Sequence, residues 1–204
     1  MTQPPHDNAP DSDAGLLQRH LAGERAAFAQ LVERYRRELF DFLSRLMGDA
    51  AAADDVFQET FLQIHMSAAA FDPARPLKPW LFTIAANKAR DAMRHRSRRQ
   101  AVSLDAAVSA SDPGATYADI MPSDIPAPEA GPVNLETRRS VERIVERMPE
   151  NLRAVLLLSY FHGMPYQDIA EILGLPVGTV KSRLHAAVKH FAREWQVAAG
   201  KPKP

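Results

Sequence analysis

Residues 166–190 read YQDIAEILGLPVGTVKSRLHAAVKH, and this stretch decides the fold of the C-terminal part of the chain. Both halves have helical spacing, but Gly174 and Pro176 interrupt them, because neither residue is well tolerated inside a helix. The stretch therefore predicts two helices joined by a tight turn, in which Gly174 adopts a positive φ. A plain helical hairpin and a DNA-binding helix-turn-helix both fit this pattern.

The second of these helices favours the DNA-binding interpretation. Val180, Leu184 and Val188 recur at four-residue steps and predict its buried face. Short polar side chains near the helix start suit phosphate contacts, because the free backbone N–H groups and the helix dipole attract anions there. Longer side chains on the same helix can reach base edges or phosphates. The residues predicted to contact DNA are Thr179, Lys181, Ser182, Arg183, His185 and Lys189.

The charge is unevenly distributed, although the net charge of the 204 residues is zero. Residues 14–99 carry 14 Lys or Arg against 10 Asp or Glu, and residues 137–204 carry 11 against six. Residues 100–136 carry six acidic residues and no Lys or Arg. Two basic blocks on an acidic tether suggest two modules that bind polyanions. A chance fluctuation in a mixed surface is the alternative.

Helical periodicity without strand-like alternation predicts an all-α fold with two small helical domains joined by a flexible acidic linker. In the first block, one long helix is expected from Leu16 until Gly48 and Asp49, followed by helices over about Ala51–Ser67 and from near Pro79. The predicted organisation is a disordered tail (1–13), a first helical domain (14–99), the linker (100–136), a helix-turn-helix domain (137–199) and a C-terminal tail (200–204).

Composition and motifs narrow the functional class. The chain has no cysteine, so it has neither disulfides nor a thiolate zinc site. The polar N-terminus is unlike a signal peptide, and the apolar run AVLLLSYF from Ala154 is too short to span a bilayer. We therefore expect no membrane insertion and a cytoplasmic protein. HExxH, P-loop, GxSxG and dinucleotide-binding motifs are missing, so we expect no catalytic residue, cofactor or metal, and no enzyme.

The third predicted helix of the first block, PWLFTIAANKARDAMRHRSRR, begins aromatic and ends strongly basic. Aromatic faces can replace lost base stacking, at about 1–3 kcal/mol per base, and an Asn amide can pair with a base edge. Core packing is the alternative role for Trp80. The residues predicted to contact and open DNA are Phe71, Trp80, Asn87, Lys88, Arg90, Arg94, Arg96, Arg98 and Arg99.

The helix before it, ADDVFQETFLQIH, carries an acidic pair at i and i+4, Asp55 and Glu59. No Lys partner lies on that face of the helix, so the two carboxylates repel each other mildly unless something basic binds them. A binding face for a basic partner and an ordinary solvated acidic face both remain open at this point.

These segments resemble one family. GLPVGTVKSRLHAA and the preceding MPENLRAVLLLSYFHGMPYQDIAEILG are similar to region 4 of bacterial sigma factors of the extracytoplasmic-function group. AFAQLVERYRRELFDFLSRLMGDA, ADDVFQETFLQIH and WLFTIAANKARDAMRHRSRR resemble regions 2.1, 2.2 and 2.3–2.4 of the same family. The resemblance covers about residues 16–99 and 137–193 and leaves no room for a region 3 domain.

The resemblance implies a sigma factor that directs core RNA polymerase to −10 and −35 promoter elements, melts the DNA and starts transcription of a stress or envelope-response regulon. Partners implied are the β′ coiled coil and the β subunit, promoter DNA and an anti-sigma factor, with a monomer as the active form. The basic third helix takes the −10 role and the helix after Pro176 takes the −35 role. The polymerase contacts fall on Asp54, Asp55, Gln58, Glu59 and Gln63.

Two positions depart from the family pattern. Ala86 and Ala186 stand where Arg is common, so the grip on DNA is expected to be weaker than in relatives. A stand-alone helix-turn-helix regulator with a helical sensor domain is the competing interpretation. Such a regulator binds duplex DNA tightly by itself, whereas a sigma factor gains its sequence preference with polymerase.

Overall fold

A computed structural model describes the backbone of residues 11–103 and 135–198, with side chains for 11–98 and 137–198. No strand occurs in these ranges, so the predicted all-α class is confirmed for them. The predicted acidic linker falls mostly, and the C-terminal tail entirely, outside the described residues, as do residues 1–10 of the predicted N-terminal tail. The helices are α1 Asp13–Leu21, α2 Arg25–Met47, α3 Ala50–Ser67, α4 Leu77–Ser103, α5 Leu135–Arg147, α6 Glu150–Leu156, α7 Tyr166–Leu173 and α8 Val177–Ala198.

The N-terminal helix differs from its prediction in two ways. The single long helix expected from Leu16 is instead two helices, α1 and α2, because Gly23 breaks the chain with a φ of +98°. Helix α1 also begins earlier than expected: the Ser12 hydroxyl accepts a hydrogen bond from the N–H of Gly15 at 3.1 Å and caps it. Residues 11–13, assigned by sequence to the disordered tail, are therefore part of the folded body.

Helices α2, α3 and α4 enclose the core of the first body. Gly48 ends α2 with a φ of +65°, and the Asp49 carboxylate caps α3 by accepting the N–H groups of Ala51 and Ala52. The predicted stop at Gly48 and Asp49 is confirmed. Side chains that are almost completely buried fill the space between the helices, among them Leu31, Leu39, Phe42, Leu43, Ile64, Leu81 and Phe82.

Helix α4 is longer than predicted at both ends. It begins at Leu77, so Pro79 lies in its first turn, where the missing N–H has no helical partner to lose. It continues to Ser103, which is four residues beyond the expected boundary at 99. The described backbone is helical again from Leu135, next to the predicted end of the linker at 136.

The second body contains α5 to α8, and its central feature is the predicted turn. Gly174 ends α7 with a φ of +64°, and the N–H of Leu175 donates to the carbonyl of Ala170 at 2.9 Å. The Pro176 carbonyl then accepts from the N–H groups of Thr179 and Val180, at 2.9 and 3.1 Å, and begins α8. The two helices joined by a tight turn are thus confirmed.

The segment between α6 and α7 contains an irregular helical turn. Helix α6 ends at Leu156, and the chain widens into one π turn over Leu157–Phe161 before Gly163 reverses it with a φ of +60°. Phe161 and His162 at its end contact the first body: the guanidinium of Arg45 lies 4.6 Å from the centre of the Phe161 ring. The two bodies are therefore packed against each other.

Candidate nucleic-acid and polymerase interfaces

Helix α3 presents the predicted polymerase contacts to solvent. Asp54, Asp55, Gln58 and Glu59 are exposed, and Gln63 is half-buried. The Gln58 amide donates to the Asp54 carboxylate at 2.9 Å, which orders the start of this face. The expectation that the acidic pair has no basic partner is wrong for Glu59, because Lys88 of α4 places its Nζ 3.5 Å from the Glu59 carboxylate. Because this ion pair joins two different helices, the sequence around Glu59 alone does not reveal it.

Two apolar side chains extend the same face and were missed by the sequence analysis. Leu62 is 61% exposed and Met66 is 71% exposed, and they follow Asp55 and Glu59 at helical steps of three and four residues. The signal was available, since Leu62 and Met66 fall outside the apolar stripe of Val56, Phe61 and Ile64. The α3 face, which we define as Asp55, Glu59, Leu62 and Met66, is acidic at one end and apolar at the other.

The aromatic residues assigned to DNA opening are mainly packed. Phe71 is only 9% exposed and lies against Trp80, which is half-buried, with 4.9 Å between the ring centres. Phe82, two residues after Trp80 on α4, is completely buried. A base can therefore stack on Phe71 or Trp80 only after these rings separate.

Farther along α4, Asn87 is exposed and its carbonyl accepts from Arg90 at 3.0 Å. Arg94 pairs with Asp91, and Arg96 pairs with Asp49 at 2.6 Å. The backbone N–H of Ala52 and then Arg96 lower the pKa of Asp49 below its ordinary value. Arg98 is exposed, and the side chain of Arg99 lies outside the described residues. Part of the predicted phosphate track is thus engaged with the protein's own acidic groups.

Helix α8 carries the other predicted DNA contacts. Lys181, Ser182, His185 and Lys189 are exposed, whereas Thr179 and Arg183 are half-buried. Ser182, His185 and Lys189 recur at steps of three and four residues, so they share one face. The Ser182 hydroxyl donates to the Thr179 carbonyl at 3.1 Å. The opposite face is buried through Val180, Leu184 and Ala187, which fixes the orientation of the helix.

The described ranges contain neither a cluster of metal-ligating side chains nor a membrane-spanning helix. No group of three or more His, Asp or Glu side chains there is arranged to hold a metal ion. None of the described helices has the length and apolar character needed to cross a membrane.

Two helical bodies, each with a polar and basic helix on its surface and one of them a helix-turn-helix, define a DNA-binding protein with two separate contact regions. Comparison with known families makes the class specific. Residues 31–99 match the sigma-70 region 2 family, and residues 138–191 match the sigma-70 region 4 family.

Similar proteins agree with this class. The RNA polymerase sigma-H factor of Pseudomonas aeruginosa is 33% identical over 177 residues, which cover 87% of this chain and 90% of that protein. The ECF RNA polymerase sigma factor SigW of Bacillus subtilis is 32% identical and covers 80% of this chain and 86% of its own length. Among solved structures, the sigma factor RpoE in complex with the anti-sigma factor NepR from Bartonella quintana aligns with a TM-score of 0.63 at 25% identity, covering 83% and 97% of the two chains. The chain belongs to the sigma-70 family, and it is a sigma factor of the extracytoplasmic-function group that serves transcription initiation.

Proposed function

We propose that this sigma factor binds core RNA polymerase through the α3 face and directs it to promoters with −10 and −35 elements that control a stress or envelope response. The α3 face carries the polymerase part of the proposal. Leu62 and Met66 are exposed apolar side chains one helical turn apart, and the neighbouring carboxylates select a basic partner. A coiled coil with apolar and basic positions, such as that of the β′ subunit, fits such a face, and the β subunit provides a second contact.

Each of the two exposed polar helices contacts one of the two promoter elements. Asn87 and the basic residues after it on α4 contact the −10 side, where strand opening also takes place. The exposed face of α8, centred on Ser182 and His185, contacts the −35 side. Ala86 is only 2% exposed and belongs to the core, so the expectation that its missing charge weakens the grip on DNA is wrong. Ala186 is exposed and supplies no charge on α8, so core polymerase contributes a larger share of promoter affinity on the −35 side.

An anti-sigma factor is the proposed regulatory partner, supported by the relative whose solved structure contains one. Released from it, the protein acts as a monomer in the cytoplasm, where the chromosome and the polymerase are found.

Run-off transcription with purified core polymerase tests the function. We expect transcripts from a −10/−35 promoter only when both polymerase and this protein are present. Charge reversal at Asp55→Lys should reduce transcription at least tenfold, whereas Gln30→Lys, an exposed change on α2, serves as the control. Tight binding to duplex promoter DNA by the protein alone, without any transcript, would instead identify a stand-alone regulator.

A further inference from the structure

The sulfur of this protein is confined to its methionines. The chain has seven methionines and no cysteine, so it offers no thiol to an oxidant. A peroxide then reacts with thioether sulfur, and exposure to solvent determines which thioether it reaches first. The methionines whose side chains the structure describes are Met47, Met66, Met93, Met148 and Met164.

Met66 differs from the other described methionines in its exposure. It is 71% exposed, whereas Met148 and Met164 are 1% and 7% exposed. Met47 and Met93 are half-buried and pack against the hydrophobic core. Among these five side chains, the sulfur of Met66 is therefore the one most accessible to an oxidant dissolved in water.

A chemical change at Met66 leaves the core of the first body intact. Met66 lies in the last turn of α3, and Phe61 and Ile64 hold this part of the helix in the core with exposures of 6% and 0%. Because the Met66 side chain is mostly in water, a more polar group at its sulfur costs the folded protein little. The effect of oxidation is thus confined to the surface on which Met66 lies.

That surface is the apolar end of the α3 face. Leu62, one helical turn before Met66, is 61% exposed and has no polar group in its side chain. A sulfoxide is a strong hydrogen-bond acceptor, and its burial without a donor is costly. Oxidation of Met66 therefore opposes apolar contact at this end and leaves the carboxylates of Asp55 and Glu59 unchanged at the other.

We propose that Met66 is a reversible oxidation switch for polymerase binding: its thioether form binds core RNA polymerase tightly, and its sulfoxide form binds weakly. The switch rests on the function proposed above, because it regulates the same α3 face. Peroxide thus lowers the share of polymerase that carries this sigma factor.

The forward reaction transfers one oxygen atom from hydrogen peroxide to the sulfur. The sulfur lone pair attacks a peroxide oxygen, the O–O bond breaks, and the departing hydroxide takes up the proton of the transferred oxygen and leaves as water. The sulfur loses two electrons and the peroxide gains them. In the return reaction, two thiols of a methionine sulfoxide reductase system supply two electrons and two protons, which gives the thioether, a disulfide and water.

The separation of charge and apolar contact on the α3 face predicts a kinetic signature. Charges steer association, whereas short-range contacts determine how long a complex lasts. Oxidation of Met66 should therefore increase the dissociation rate and leave the association rate and its salt dependence unchanged. We expect the Kd for core polymerase to increase about tenfold, which corresponds to about 1.4 kcal/mol.

Binding measurements on the full-length protein test the switch. The protein is treated with hydrogen peroxide, catalase removes the excess, and peptide mass spectrometry identifies the oxidised methionines before binding to untreated core polymerase is measured. We expect Met66 to be oxidised before Met47 and Met93. The oxidised protein should keep the Tm of the untreated protein, and the reductase system should restore its Kd.

Variants assign the effect to one sulfur. Each variant is compared with its own untreated sample, so a change in its starting affinity does not matter. Treatment should leave the Kd of Met66→Leu unchanged, although this variant retains every other methionine. Met93→Leu, which retains Met66, should lose affinity on treatment as the parent protein does. Met66→Gln carries a polar amide in place of the thioether and should bind weakly without any treatment.

Two results would overturn the switch directly. One is a parent protein that is fully oxidised at Met66 and keeps its Kd. The other is a treated Met66→Leu protein that loses as much affinity as the parent, because the loss would then come from another methionine.

Peroxide footprinting of the assembled holoenzyme separates this failure from that of the proposed function. Polymerase bound to the α3 face should protect Met66 from oxidation. A holoenzyme that transcribes but leaves Met66 unprotected would contradict the proposed use of the α3 face, and the switch with it. Protection of Met66 together with an unchanged Kd after oxidation would contradict the switch alone.

Discussion

At the scale of single residues, Asp13 links the first turn of the protein to the middle of α2. Its carboxylate accepts a hydrogen bond from Arg34 at 2.8 Å and another from the hydroxyl of Tyr35. Tyr35 is 6% exposed, and burial, followed by the bond to Asp13, raises the pKa of its hydroxyl above the ordinary value of 10. The phenol therefore remains a proton donor at any physiological pH, and α1 is held on α2.

Replacing this donor tests the link. Tyr35→Phe keeps the ring and removes only the hydroxyl, so a buried bond to a charged acceptor is lost and the free energy of unfolding should fall by about 1.5 kcal/mol. Urea denaturation measures the change. Tyr166→Phe is the matched control. Tyr166 is 40% exposed, so removing its hydroxyl leaves no buried partner unsatisfied and should change the stability little. Equal stability of the two variants would show that the bond to Asp13 contributes nothing.

Asn87 is the residue for which we predict the sharpest effect on promoter reading. Its amide is exposed on α4. To contact a base edge, its carbonyl must first lose the hydrogen bond that it accepts from Arg90. A well-formed amide–base pair contributes about 1–3 kcal/mol, so Asn87→Ala should lower run-off transcription about tenfold or more. Gln30→Ala, which removes an exposed amide from α2, should have no effect. A fully active Asn87→Ala protein would show that Asn87 does not contact a base.

At the scale of elements, the sequence predicted what is local and missed what depends on neighbours. The helix–turn–helix and the end of α2 were predictable because Gly174 and Gly48 adopt positive φ at positions where helical periodicity also stops. The break at Gly23 was missed because the apolar pattern continues through it and an isolated glycine is tolerated within a helix. Whether the helix breaks at Gly23 depends on how α1 packs against α2.

The candidate sites follow the same rule. Exposure of Asn87 and of the polar face of α8 was predictable from helical periodicity. The burial of Phe71 against Trp80 and the pairing of Glu59 with Lys88 were not, since each joins residues from different segments. Core packing was already an open role for Trp80 from the sequence, but only tertiary packing determines which of the aromatic and basic side chains are free.

The turn between α7 and α8 allows a prediction for a whole element. A Cβ at Gly174 would meet no atom within 4 Å, so the cost of a side chain there comes from the left-handed backbone at a φ of +64°. Gly174→Ala should therefore destabilise the protein by about 1–2 kcal/mol. Gly174→Asn should cost less, because Asn tolerates this conformation better. Thermal unfolding checks the order, and an Asn variant as unstable as the Ala variant would indicate a steric cause instead.

At the scale of the whole molecule, Arg153 connects the two bodies from within α6. Its guanidinium donates to the carbonyl of Met148 in its own body and to that of Leu46 in the other, at 2.8 and 2.9 Å. Burial lowers the pKa of this arginine, with Glu150 and Glu146 acting in the opposite direction. A charged group held by carbonyls at this boundary couples the unfolding of one body to that of the other.

Removing Arg153 should therefore change cooperativity as well as stability. Arg153→Met keeps much of the apolar stem but loses the bonds to Met148 and Leu46, which together contribute about 2 kcal/mol. In calorimetry we expect a lower Tm and a ratio of calorimetric to van't Hoff enthalpy above one, because the bodies no longer unfold as one unit. Arg143→Met, which loses hydrogen bonds to Arg139 and Ser140 within α5, should preserve the parental ratio. A lower Tm with an unchanged ratio would mean that Arg153 stabilises only its own body, and that the coupling between the bodies comes from the packing of Phe161 and His162 on the first body.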